Sequence, residues 1–319
     1  MSIAIALGVL LVVLLGFRLA TALIVRRAES AYPPAGQFVD VDGWRQHVLV
    51  EGEGPPVVLI HGDGGSIYDF TLSPLYPCLT ARYRTFTVDR PGFGYSRRPV
   101  HGGGSPLVQA SLIHDALAAL GVEKPVVVGH ARGAAVALAY ALAYPNDLAA
   151  IVALAPAAYT HSEGTLIARL ATMSALDRLL VLTVYTPAAR FNNYALVRPI
   201  LDNAFAPDMP TPPDYLRAYG AMWARPHHIR ATMRDRRFSV VDLQGDRYGE
   251  IEVPVVIVQG EADRRVSPAD AARLHGDLAR SELVLIPDTG HALMFTQPDA
   301  VLKAIERAWE MAGENAAGV

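Results

Sequence analysis

Short apolar runs alternating with helix-length stretches, and a glycine-flanked turn joining one such run to a helix of small residues, predict an α/β domain. It should have a mostly parallel central sheet with helices on both faces. The runs fall at residues 57–60, 85–88, 126–128, 151–154, 255–258 and 283–286, and the helix-like stretches at 107–120, 134–143, 269–278 and 300–311. Unbroken hydrophobicity over four or five residues suits strands buried on both faces, which is the habit of parallel sheets.

Composition permits such a domain and excludes others. Half of the 319 residues are hydrophobic (51%) and 18% are charged, enough apolar material for one large core. Lys and Arg number 28 against 31 Asp and Glu, a net charge of −3. This balance supplies no general attraction to nucleic acid and no charge excess typical of disorder. Cys78 is the single cysteine, so neither an intrachain disulfide nor a multi-cysteine zinc site can form.

The chain begins with an apolar stretch, residues 3–25, whose one charge is Arg18. As a helix it would be about 34 Å long against about 30 Å of hydrocarbon, so it can span a bilayer. Arg18 lies off-centre and can snorkel toward Arg26 and Arg27. No Lys or Arg precedes the run. The positive-inside rule therefore predicts a single-pass anchor over residues 1–27 with the bulk of the protein on the cytoplasmic side. A cleaved secretory signal, with export, is the alternative, since Ala20-Thr21-Ala22 offers small residues near a cleavage site. An apolar helix docked on the protein itself is the third. Residues 28–35 read as a linker, because Pro33-Pro34 stops a helix.

Next, Asp42-Gly43 between two strand-like runs is a hairpin signal. Core segments are expected over residues 28–156 and 248–319. Between them, residues 157–247 lack the strand rhythm and carry helical patterns around 166–184 and 215–234, joined by a proline-rich loop at 207–213. An insertion of that kind predicts a helical cap over the sheet's edge.

The sharpest local signal is Gly129-His130-Ala131-Arg132-Gly133, in which a buried run passes into a helix. In the nucleophile elbow G-x-S-x-G the central side chain is exposed on a strained turn. Here that residue is Ala131, and a methyl group cannot attack anything.

From about residue 39 to 309 the chain resembles the α/β-hydrolase fold family. His61-Gly62-Asp63-Gly64-Gly65 stands where that family has its oxyanion-hole loop, and Asp89-Arg90-Pro91-Gly92-Phe93-Gly94-Tyr95-Ser96 matches its D-x-P-G-x-G-x-S loop. Gly260-Glu261-Ala262-Asp263 resembles its acid-bearing turn, and Gly290-His291 its histidine turn. The resemblance implies a capped serine esterase-like hydrolase in which position 131 would carry the nucleophile, His291 the base and Asp263 the carboxylate that orients it. Backbone N–H groups of Arg132 and Asp63, with Gly64 the alternative to Asp63, would bind the oxyanion. It implies a small acyl substrate and neither metal nor organic cofactor. Oligomeric state is not specified.

Other residues carry competing readings. His61 is expected to brace its loop, and the Arg132 side chain to point to packing. Tyr185, Phe191, Tyr194, Tyr219, Met222 and Trp223 are candidates for lining the substrate pocket, or for ordinary cap core. Ser66 and Ser96 are hydroxyls near the site but sit on no elbow. Arg225, Arg230, Arg234, Arg236 and Arg237 with His227 and His228 form a basic cluster, either a solvated face or a site for an acidic group or anionic lipid heads.

Alanine at 131 has two explanations: a serine replaced by an inactivating change, or a protein that keeps the fold for binding. The intact acid, base and oxyanion loop favour the first. The reading is a carboxylic-ester hydrolase of Ser-His-Asp type, nearly inactive with Ala131. The alternatives are an aspartate-nucleophile relative of epoxide hydrolases and haloalkane dehalogenases, and a non-catalytic ligand-binding module.

Overall fold

The computed structural model describes residues 2–159, 194, 197–238 and 245–317. The chain opens with helix α1 (Ser2–Ala31), followed by β1 (Gln37–Val41) and β2 (Trp44–Glu51). Asp42 and Gly43 between them have φ of 51° and 79°. Both are left-handed, the geometry of the two-residue hairpin turn that suits strand twist. Then follow β3 (Pro56–Ile60), α2 (Tyr68–Thr71), α3 (Leu75–Thr80), β4 (Arg84–Val88), α4 (Pro106–Ala119), β5 (Val126–His130), α5 (Arg132–Ala143) and β6 (Ala150–Leu154). Beyond the inserted region lie α6 (Arg198–Phe205), α7 (Pro213–Trp223) and α8 (Pro226–Phe238), then β7 (Val255–Gly260), α9 (Pro268–Asp277), β8 (Ser281–Ile286), α10 (Leu293–Thr296) and α11 (Pro298–Ala317).

The eight strands form one sheet in the order β1-β2-β4-β3-β5-β6-β7-β8. Strand β2 is antiparallel to both neighbours, and every pair from β4 to β8 is parallel. Side chains alternate between the faces. Val57, Leu59, Val126 and Val128 enter one core with Leu75 of α3 and Ile305 of α11. Val58, Ile60 and Val127 enter the other with Ile113 of α4 and Val136 of α5. All three valines of β5 are fully buried, each stabilising by about 1.5–3 kcal/mol. Order reverses at β3, since β4 lies on one side of it and β5 on the other. Ligand sites in open α/β sheets form at such a reversal, beyond the strands' carboxyl ends.

Two boundaries differ from expectation. The helical pattern at 215–234 is broken into α7 and α8, because Pro226 has no N–H to continue α7 and instead starts the next helix. Residues 28–31, read as linker, extend α1. Thr21, Ile24 and Ala28 form one buried stripe along that helix, and Ile24 and Ala28 pack with Tyr95, Ala221, Met222 and Ala224. Glu29 pairs with buried Arg225 at 2.9 Å. By length and composition α1 can cross a membrane, with Leu7–Ala31 as the candidate span. The helical pattern expected at 166–184 lies outside the described residues.

Candidate active site

Strand β5 ends in a sharp turn. Ala131 has φ 49° and ψ −112°, a conformation costing a non-glycine residue on the order of 1–3 kcal/mol. The flanking glycines are required by close approach. A Cβ on Gly129 would lie 2.4 Å from the Gly133 carbonyl oxygen, and one on Gly133 would lie 2.2 Å from that of Ile60. Helix α5 begins immediately after Ala131, so its positive dipole end faces this point. The loop after β3 runs alongside, and a Cβ on Gly62 would stand 3.4 Å from the Ala131 Cβ.

His291 follows β8 and Asp263 follows β7. The His291 Nδ1–H donates to Asp263 Oδ2 at 2.8 Å, and both side chains are buried. Asp263 also accepts from the Arg265 and Val266 amides and from the Gln259 side chain. Burial opposes its charge, but His291 and these donors outweigh that and hold the carboxyl at about 2. Burial pushes His291 below its usual value in spite of Asp263. At neutral pH the imidazole is therefore uncharged, with Nε2 free to accept a proton. Beside it, the ring of His130 lies 4.6 Å from that of His291, centroid to centroid.

Residues 55–298 match the model of the α/β hydrolase fold family. The chain belongs to that family. Among its relatives, a 2-hydroxy-6-oxo-6-phenylhexa-2,4-dienoate hydrolase of Burkholderia cepacia is 26% identical, over 85% of this chain and 95% of its own. An α/β hydrolase fold protein from Burkholderia ambifaria superposes with a TM-score of 0.70 at 25% identity, covering 85% of this chain and 97% of that one. A membrane phospholipase A, a bacterial virulence factor, superposes over 96% of this chain and 99% of its own, with a TM-score of 0.66 and 22% identity.

In this α/β-hydrolase chain the inserted helices clamp the loop after β3. The Trp223 Nε1–H donates to the Gly64 carbonyl at 3.0 Å, and the Tyr219 hydroxyl reaches that of Asp63 at 3.5 Å. His228 bridges two loops. Its Nδ1 accepts from the Gly94 amide, so Nε2–H donates to Gly64 O at 2.9 Å. His61 accepts from the Arg90 amide at Nε2 and donates from Nδ1 to Gly62 O. Burial, and for His61 the neighbouring Arg90 charge, lower both imidazoles, to about 3 for His61 and about 4 for His228. His61 thus braces its loop.

The D-x-P-G-x-G-x-S loop is organised by Asp89, which accepts from His47 Nδ1–H at 2.8 Å and from the Ile67 and Tyr95 amides. Ser96 accepts from the His47 amide. Ser66 takes up the Tyr68 amide weakly, at 3.4 Å. The Arg132 side chain points into packing and donates to the Asp235 carbonyl at 2.9 Å.

Met222 and the basic cluster sit differently from expectation. Met222 packs against Ile24 and Ala28 of α1, because the face of α7 that carries it is turned to that helix. Tyr219 and Trp223, stacked at 5.9 Å, lie over Asp63 and Gly64. Tyr194 packs against Gly220. Tyr185 and Phe191 lie outside the described residues, as do the side chains of Arg236 and Arg237. The basic cluster is not a single solvated face. Arg225 is buried between Glu29, Gly94 O and the Tyr95 ring, and His228 is a neutral core residue.

Four groups here were not singled out from sequence. Asp235 gathers Arg90, at 2.9 Å, and Arg98. Asp69 is buried against the Ser66 amide and the Tyr215 hydroxyl, and burial pushes its carboxyl up to about 6. His130 donates Nε2–H to the His291 carbonyl at 3.1 Å. Asp208 accepts from the Gly290 amide at 2.7 Å. A buried acid three residues before α8 ends, or a histidine inside the elbow motif, carries no local pattern that would mark it.

Proposed function

We propose that this site is an acyl-ester hydrolase site of Ser-His-Asp type in which Ala131 occupies the nucleophile position. The observation that carries this reading is the buried His291–Asp263 hydrogen bond of 2.8 Å, with the strained elbow of Ala131 retained in the same fold. A hydroxyl at 131 would attack the substrate carbonyl as His291 Nε2 removes its proton. The Arg132 and Asp63 amides would hold the oxyanion of the tetrahedral intermediate. Collapse would expel the alcohol, protonated by His291, and leave an acyl-enzyme. Water, deprotonated by the same nitrogen, would then release the acid and restore the hydroxyl.

With Ala131 the first bond cannot form. Loss of the nucleophile lowers turnover by about 10⁶-fold, while binding between Trp223, Tyr219 and the elbow is retained. The test is Ala131→Ser assayed on short p-nitrophenyl esters. A burst followed by turnover is expected from the serine variant and none from the parent chain. A folded Ala131→Ser protein with neither would overturn the reading. Relatives named as hydrolases of 2-hydroxy-6-oxo dienoates support a second substrate class for the same constellation. The serine variant assayed on such a dienoate separates the two.

The N-terminal helix is proposed as a single-pass anchor with the domain on the cytoplasmic side. With Thr21, Ile24 and Ala28 buried, the stretch before them, residues 3–20, would extend about 27 Å, close to the hydrocarbon thickness. Intact N-terminal mass of membrane-extracted protein tests this; loss of the first 22 residues would favour a cleaved signal.

A further inference from the structure

A cleft outside the proposed catalytic site lies between the loop after β4 and helix α8. It has a volume of about 180 Å³ and is lined by Arg97, Arg98, His227, Arg230 and Arg234 among others. On α8 the lining positions 227, 230, 231 and 234 follow the i, i+3, i+4, i+7 spacing, so they form one helical stripe facing the loop. The opposite wall carries Arg97 and Arg98. No carboxylate lines the cleft among the described residues.

The nearby acids are already engaged. Asp235 holds Arg90 and Arg98, and Glu29 holds Arg225. Gathered like charges destabilise a fold unless an anion or solvent compensates them. The crowding is visible in the groups themselves. Burial, then the Arg225 and Arg97 charges, hold His227 down at about 2, and burial with the Arg225 and Arg45 charges lowers Arg97. His227 instead stays neutral and bonds the Gly94 carbonyl through Nε2–H at 2.9 Å. Arg98 already gives Nη1 to Asp235 and Nη2 to the Ala231 carbonyl. The guanidinium groups of Arg97 on the loop and Arg234 on α8, which line the cleft from its two walls, are those suited to a tetrahedral oxyanion, which accepts paired N–H donors.

Location adds a second observation. Arg225, directly before α8, pairs with Glu29 in the last turns of α1. The helix that forms one wall of the cleft therefore starts next to the residue that meets the apolar helix. Anionic headgroups would be concentrated there on a membrane surface.

We propose that this cleft binds a phosphate group, carried either by the free ion or by an anionic lipid headgroup. The cavity accommodates such a group together with several waters, each of which takes about 30 Å³ in the liquid. The site is independent of the chemistry at residue 131.

The test uses the full chain in dodecyl maltoside micelles and isothermal titration with three probes: inorganic phosphate, dihexanoyl phosphatidylglycerol and dihexanoyl phosphatidylcholine. Saturable binding of phosphate or phosphatidylglycerol is expected, weakened by added salt and about tenfold or more weaker in the Arg97→Gln/Arg234→Gln double variant. Phosphate alone assigns the free ion, phosphatidylglycerol alone assigns the lipid, and both together assign the shared group. The two single variants, each with its melting temperature checked, give the same readout if the double variant fails to fold. No binding of either anionic probe, equal binding of phosphatidylcholine, or unchanged affinity in folded variants would overturn the proposal.

Discussion

His130 and His291 are joined face to backbone: their rings lie 4.6 Å apart and the His130 Nε2–H donates to the His291 carbonyl oxygen at 3.1 Å. The residue before the elbow position thus tethers the turn that carries the proposed base. Its other ring nitrogen, Nδ1, is buried with no hydrogen-bond partner among the described residues. His130→Phe removes one hydrogen bond but also that desolvated nitrogen, so stability should change by no more than about 1 kcal/mol. In an Ala131→Ser background the freed His291 turn should lower kcat about tenfold or more, with KM little changed. Equal kcat with and without His130 would remove the tethering role.

Asp263 holds His291 with its Nδ1 protonated. In the Ala131→Ser background Asp263→Asn should lower kcat by about 10⁴-fold, the size seen when an imidazole is left in the wrong tautomer. The acid limb of kcat/KM reports deprotonation of the base. Since burial lowers His291 from its ordinary value, that limb should have its midpoint below pH 6.5. Rate measurements from pH 4 to 9 decide this, and a midpoint above 7 would contradict the assignment of His291 as a buried neutral base.

Acid should unfold the protein early. His61 and His228 are held neutral in the fold, at about 3 and about 4, whereas an unfolded histidine titrates near 6.5. Below 6.5 the unfolded chain binds more protons. Each such histidine therefore costs roughly 1.4 kcal/mol of stability per pH unit until its folded value is reached. Asp69, raised to about 6, works the opposite way, because the folded chain takes up its proton first between about 6 and 4. Two histidines outweigh one carboxylate. The melting temperature should fall steadily from pH 6.5 to 4, and Asp69→Asn should steepen that fall by removing the compensating uptake.

Asp235 is fully buried beside Arg90, which is fully buried too. Asp235→Ala strands that guanidinium without its counter-charge and should cost about 3–5 kcal/mol in denaturant unfolding. Arg98→Gln, at the partly exposed end of the same network, should cost clearly less. Similar losses in both would mean that the network has no buried centre.

Much of the architecture is legible locally. The runs at 57–60 and 126–128 reappear as the fully paired strands β3 and β5, because a strand buried on both faces needs apolar residues at every position. Asp42-Gly43 turns where a left-handed pair is needed. The strained turn at Ala131 is likewise signalled by its flanking glycines, since nothing larger fits against Ile60 and Ala134. The break between α7 and α8 was also written locally, at Pro226, but the amphipathic pattern on both sides masked it.

Other features have no local signature. Arg90 and Asp235 are 145 positions apart, and neither has a neighbour in sequence that announces the pair. Met222 shares a helix with Tyr219 and Trp223, yet it faces α1 while they face the loop after β3. Which side of α7 faces the loop after β3 follows from where α1 docks.

Strands, turns and the order of the motifs were settled by residues within a few positions of one another, because backbone geometry and hydrophobic period act over that range. Folding had to settle which buried charges meet, which nitrogen of each histidine carries its proton, and which helix face packs over the loop after β3. Those outcomes depend on groups brought together from distant parts of the chain, where desolvation leaves each polar atom the partners that packing supplies.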